Sequence, residues 1–318
     1  MDLFVPILNQ MIFLFAFILI GFVLSKGKFI PDNSASVLSK LENILFVPAL
    51  VMGTFITNCT PETLSSHWKV LLGGAVLVLV MILISLPLAK LCFKEKYLQK
   101  ISTYGLAFAN FGFMGNAIMK GIFPELFFDY LVFTLPFWFM IYVWGVPTLL
   151  IGTDEGKKGL KARAKAFVNP MFIGMLIGIV IGLSGLKLPS AVSSVITVSG
   201  DCMSPVAMLL TGMTIAKINL LTLLKKWRIY LATGLKLLLF PLLYIGIVAF
   251  IPLHSELMRT ILICGMNVAC MPMGLNSIVV PAGYGKDTTD AAGMALVSHT
   301  LSVITIPLMY LLFQAVVL

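Results

Sequence analysis

ANFGFMGNAI at residues 109 to 118 and ACMPMGLNSI at residues 269 to 278 are two copies of one interrupted apolar helix. Each lies in the fourth hydrophobic segment of its half of the chain and opens on Ala. Asn116 with Ile118 and Asn276 with Ile278 hold matching offsets. Gly112 and Gly115 break the first copy, Pro272 and Gly274 the second. Each break frees amides and carbonyls that hydrocarbon cannot satisfy, so such backbone persists at membrane depth only where protein covers it or it lines a polar cavity. Paired interruptions at corresponding places of two halves point to the binding site of a carrier.

The surrounding sequence sets that reading in a membrane. Of 318 residues, 59% are hydrophobic and 11% charged, and the mean hydropathy is +1.04, too apolar for a water-soluble domain. A helix needs about 20 apolar residues to cross the hydrocarbon core. Ten stretches qualify: 4–24, 35–57, 68–91, 101–123, 126–151, 169–186, 190–216, 229–251, 257–282 and 289–317. The net charge is +9, and sixteen of the 22 Lys and Arg residues fall in alternate connections. The positive-inside rule places those connections in the cytoplasm and both termini outside, so the charge requires no nucleic-acid partner.

Five cysteines lack CxxC spacing, which supports neither a disulfide framework nor a zinc site. Without a Walker A, HExxH or dinucleotide fingerprint, no cofactor is expected. The first span has no basic n-region and no small-residue cleavage site, so it reads as a retained helix. GLSG at 182 to 185 is similar to the serine motif of intramembrane rhomboid proteases, with His299 as a base. Ser184 falls at the outer end of its span and His299 near mid-membrane, too far apart for a hydrolase, and no enzyme is expected.

The polar connection 152–166 divides the chain into five-span halves, 1–151 and 167–318. IGFVLSKGKFIP (20 to 31) is echoed by IGIVIGLSGLKLP (177 to 189), and Pro48 and Pro205 each follow an acid, Glu42 and Asp201. Five is odd, so duplicated halves enter the membrane in opposite orientation, with a site expected at the midplane between them. The expected fold is an all-α polytopic membrane protein: ten transmembrane helices as two inverted five-helix repeats, with broken crossover helices 4 and 9.

Asn116 and Asn276 are the leading substrate-binding candidates. Half-helix N-termini favour anions, and an Asn amide can donate to a carboxylate or satisfy unwound backbone; both readings are open. Asn110 and Ser277 are secondary candidates, with Pro272 and Gly112 shaping the breaks. Lys236 lies about 10 Å into its span. It either serves the substrate anion and the crossover or snorkels to the interface. Lys40 lies closer to its interface and reads as a snorkeller. Asp201 and His299 are the deepest ionisable groups and candidates for proton coupling. A neutral, hydrogen-bonded imidazole is the alternative for His299. Neither decapeptide contains Asp or Glu, which disfavours a metal cation as cargo. Gly174, Gly178 and Gly182 form a small-residue stripe that suits a homodimer seam or packing within one subunit.

Along its whole length the chain resembles the auxin efflux carrier family, which includes plant PIN-type carriers and bacterial permeases associated with malonate or malate. GLAFANFGFMGNAI (105 to 118), Asn169 with Pro170, GDCMSPVAMLLTGM (200 to 213) and MPMGLNSIVVPAGYG (271 to 285) carry the resemblance. It implies a fold similar to sodium/proton antiporters and bile-acid symporters. Spans 1, 2, 6 and 7 would form a scaffold whose wall is hinged near Pro48 and Pro205; spans 3 to 5 and 8 to 10 would form a moving transport domain. The expected function is elevator-type transport of a small organic anion across a bacterial plasma membrane. A proton- or sodium-coupled carrier of another solute, or a non-transporting sensor, are the alternatives. After Pro48 the sequence reads ALVMGT, without the polar residues that line the pocket in auxin-specific members.

Overall fold

A chain that must satisfy its own backbone in hydrocarbon has few options beyond the helix. The computed structural model describes residues 4–151, 170–217, 226–253, 255–283 and 286–318, and they form helices joined by short connections. The expected linker 152–166, Asn169 and the close of the MPMGLNSIVVPAGYG stretch lie outside the described residues. Besides the short helix Pro61–Ser66, the helices in chain order are α1 (Phe4–Lys26), α2 (Ser34–Asn58), α3 (Trp68–Cys92), α4 (Lys96–Ala107), α5 (Asn116–Ile122) and α6 (Pro124–Ile151). They continue as α7 (Pro170–Ser184), α8 (Ser190–Ala216), α9 (Trp227–Val248), α10 (Glu256–Cys270), α11 (Asn276–Gly283) and α12 (Thr289–Val316).

Seven of these, α1, α2, α3, α6, α8, α9 and α12, are long and apolar enough to cross a membrane, and α7 is a shorter apolar helix. The stretches 101–123 and 257–282 are each split, into α4 with α5 and α10 with α11. Apolar side chains leave bare aliphatic surface, as with Leu83 at 68% exposure and Val180 at 67%. Such a surface is what lipid contact requires and what water would penalise. The protein is a multi-pass membrane protein.

Prolines explain where the long helices deform. Pro lacks an amide hydrogen, and its ring displaces the carbonyl four residues earlier. For Pro48 and Pro241 those carbonyls belong to Ile44 and Leu237. Both lie inside wider π turns, Glu42–Phe46 in α2 and Leu235–Leu239 in α9, which absorb the mismatch.

The chain separates into two compact units: Met1–Phe15, Val70–Lys157 and Ile218–Leu318 form unit 1, and Ala16–Lys69 with Lys158–Lys217 form unit 2. In unit 2 the glycine stripe of α7 lies against α2. A Cβ on Gly174, Gly178 or Gly182 would stand 2.8, 2.7 or 2.7 Å from the backbone oxygens of Pro48, Met52 and Phe55. The two helices therefore touch backbone to backbone, and the stripe is filled within the chain.

In unit 1 one end is tied by the connection before α12. Lys286 Nζ donates to the Leu150 carbonyl at 3.3 Å and to that of Ile151, and Tyr97 donates to the Asp287 carbonyl at 2.7 Å. Lys226 pairs with Asp290. The Thr289 hydroxyl and amide donate to Asp287 Oδ1 at 2.6 and 2.8 Å and hold that carboxyl below the usual carboxylate range.

Candidate functional site

Unit 1 brings the two helix interruptions together. Met271, which follows α10, is extended at φ −65°, ψ 145°, the conformation favoured for a residue that precedes proline. The chain then runs past the other break: Ala109 and Met273 form an isolated antiparallel bridge, and the Asn110 amide donates to the Pro272 carbonyl at 2.8 Å. Backbone groups freed by one interruption are thus partly satisfied by the other, which answers the cost of unpaired polar backbone in an apolar setting.

Side chains complete the satisfaction. Ser298 on α12 accepts from the Met273 amide at 3.3 Å. Next to it, His299 is buried and donates from Nδ1 to the Ala295 carbonyl at 2.7 Å. A carbonyl can only accept, so Nδ1 carries the proton. Nε2 then accepts from the Asn110 side-chain amide at 2.9 Å, and the imidazole is neutral in this arrangement. Asn110, Pro272 and His299 therefore form one connected group.

Behind the first break, Tyr130 donates to the Phe111 carbonyl at 3.0 Å and Asn267 donates to the Gly115 carbonyl at 3.0 Å. Tyr310 in turn donates to Asn267 Oδ1 at 3.0 Å. A Cβ on Gly115 would lie 2.3 Å from the Tyr130 hydroxyl oxygen, so only glycine admits this enclosure. Sequence reasoning missed Asn267, Tyr130, Tyr310 and Ser298. The available signal was that an amide such as Asn267 inside an apolar helix must find a partner.

Lys236 is fully buried, which rules out snorkelling. Its ammonium donates to the Ala269 carbonyl at 3.3 Å and sits 4.9 Å from the centre of the Phe240 ring. Ala269 is the penultimate residue of α10, so the cation meets the negative pole of that half-helix just before the break.

Asn116 and Asn276 differ in setting. Asn116 follows the π turn Phe111–Gly115 at the start of α5, is 6% exposed, and its side chain makes no hydrogen bond among the described residues. Asn276 opens α11, is half-buried, and its amide donates to the Tyr104 hydroxyl at 3.3 Å. Ser277 turns back to the Gly274 carbonyl at 2.7 Å, and Gly112 faces the Trp138 ring, which a Cβ would meet at 2.7 Å.

The remaining candidates lie in unit 2. Asp201 is exposed where the Ser190–Asp201 segment of α8 gives way to Met203–Ala216; Pro205 is half-buried in the latter. Pro48 is buried in α2, and Lys40 is exposed.

No curated protein matches the chain. A family model described as a membrane transport protein matches residues 6–160 and again residues 157–310, so each copy of the family unit contains one of the two interrupted helices. The chain belongs to this family, the auxin efflux carrier family of membrane transport proteins, and carries its unit twice.

Proposed function

We propose that the protein is a secondary carrier of a small organic anion, a mono- or dicarboxylate, with its site at the paired interruptions of unit 1. The observation that carries this reading is the Asn116 amide: 6% exposed, placed just beyond a break, and without a hydrogen-bond partner among the described residues. An amide with no internal partner is free to donate, and a carboxylate oxygen is a strong acceptor for it. Asn276 supplies a second amide, held by Tyr104. Lys236 adds positive charge near the same interruption, where low dielectric extends its reach.

In this reading the two family units are inverted five-span repeats, ten spans in all, and their fourth helices are the crossover pair. Unit 1 is the transport domain and unit 2 the scaffold, with α2 and α8 as its wall. Loading and release follow from movement of unit 1 as a body between the two faces of the membrane. The concentration of Lys and Arg in alternate connections supports outward termini in a cell membrane.

The test is equilibrium binding of malonate, malate, pyruvate or indole-acetate to purified protein. Each charge-assisted hydrogen bond contributes about 1.5–3 kcal/mol, so Asn116→Ala and Asn276→Ala should each weaken binding about tenfold or more. Unchanged affinity in both variants would remove the site from the interruptions.

A further inference from the structure

Unit 2 holds a group that the proposed site does not use. Glu42 is fully buried, and neither carboxyl oxygen has a hydrogen-bond partner among the described residues. Its neighbours Leu41 and Asn43 are exposed, so this side chain alone turns inward. It opens the π turn Glu42–Phe46, closed by the Val47 amide on the Glu42 carbonyl. Turns of this kind recur at functional sites.

Among the described residues, the elements packed most closely against the turn offer no counter-charge. They are the Ser34–Leu41 and Val47–Asn58 segments of α2, α7, and the Ser190–Asp201 and Met203–Ala216 segments of α8. Among these, α7, Val47–Asn58 and Met203–Ala216 contain no Asp, Glu, Lys, Arg or His. The Ser34–Leu41 segment contains Lys40, exposed and two residues away on another face of the helix. The remaining segment contains Asp201, which is also exposed. An ionised carboxylate without donor or cation is the form that burial penalises most. A neutral acid fits the surroundings as they stand.

We infer that Glu42 is a proton-binding site: it holds a proton in the conformation described here, and its exchange with water sets the pH response of transport. The step is carboxylate plus one proton from the aqueous phase giving the neutral acid, with no other bond made or broken. Exchange requires a second conformation in which water or a donor reaches the carboxyl. Glu42 and Asp201 precede Pro48 and Pro205 by six and four residues in sequence, yet only Glu42 is enclosed. The transport half of the inference rests on the carrier reading above; the protonation half stands without it.

The test joins infrared difference spectroscopy of the full chain in lipid nanodiscs with uptake into proteoliposomes across a pH series, for wild type, Glu42→Gln and Glu42→Met. The expected result is a protonated-carboxyl C=O band in wild type at neutral pH that both variants lack. Wild-type uptake should vary severalfold with pH, and uptake by whichever variant retains transport should be flat. Absence of the band from wild type, its persistence in both variants, or a wild-type pH profile in a variant would overturn the inference. If wild type takes up no carboxylate, the carrier reading falls, and the infrared band still decides whether Glu42 holds a proton.

Discussion

Two buried asparagines in unit 1 do opposite kinds of work. Asn267 serves the fold, since its amide and oxygen satisfy the Gly115 carbonyl and the Tyr310 hydroxyl. Among the described residues the Asn116 side chain makes no hydrogen bond. Asn267→Leu should therefore cost about 1–3 kcal/mol for each buried group left unpaired, read as a clear loss of thermal stability in detergent. Asn116→Ala should change stability by less than about 1 kcal/mol while transport collapses. Equal destabilisation by both substitutions would contradict this division. Lys236→Met should lower the apparent affinity for the anion; Lys236→Arg should fail to restore it, because a planar guanidinium cannot occupy a fully enclosed ammonium site. A wild-type KM in Lys236→Met would show that the charge does not act on substrate. The repeat made Asn116 and Asn276 legible in the sequence because each is the other's counterpart. The same comparison hid Asn267, whose counterpart is Ala107.

At the scale of elements, Glu42 and Lys236, both buried, share one device. Glu42 and Lys236 both lie in π turns that end two residues before a proline. A proline in the sequence announces a deformation. It does not announce which side chain the wider turn rotates inward, and helices apolar all round carry no periodicity to settle it. That is why Lys236 stayed open between two readings and Glu42 was left out of the site. The interrupted helices were legible as breaks from their Gly and Pro residues. Their mutual bonding through Asn110 and Pro272 was not, since pairing across 162 positions is a tertiary fact. The α2–α7 contact gives a further prediction: Gly178→Leu must push a side chain into the Met52 carbonyl and Phe55. Overpacking of this kind costs about 1–3 kcal/mol, so the variant should show a lowered melting temperature. Unaltered stability with a change only in oligomeric state would mean that the stripe serves another copy of the chain.

For the whole molecule, duplication is the organising fact. Two matches to one family unit cover almost the entire chain, and composition alone placed it in a membrane. The family does not specify the solute. Uptake of malonate, malate, pyruvate and indole-acetate into proteoliposomes should be measured for wild type and Asn116→Ala, with proton and sodium gradients imposed separately. Wild type should accumulate at least one of these acids, and Asn116→Ala, folded and inserted, should not. Equal uptake by the two proteins would contradict the assignment of the site to the paired helix breaks.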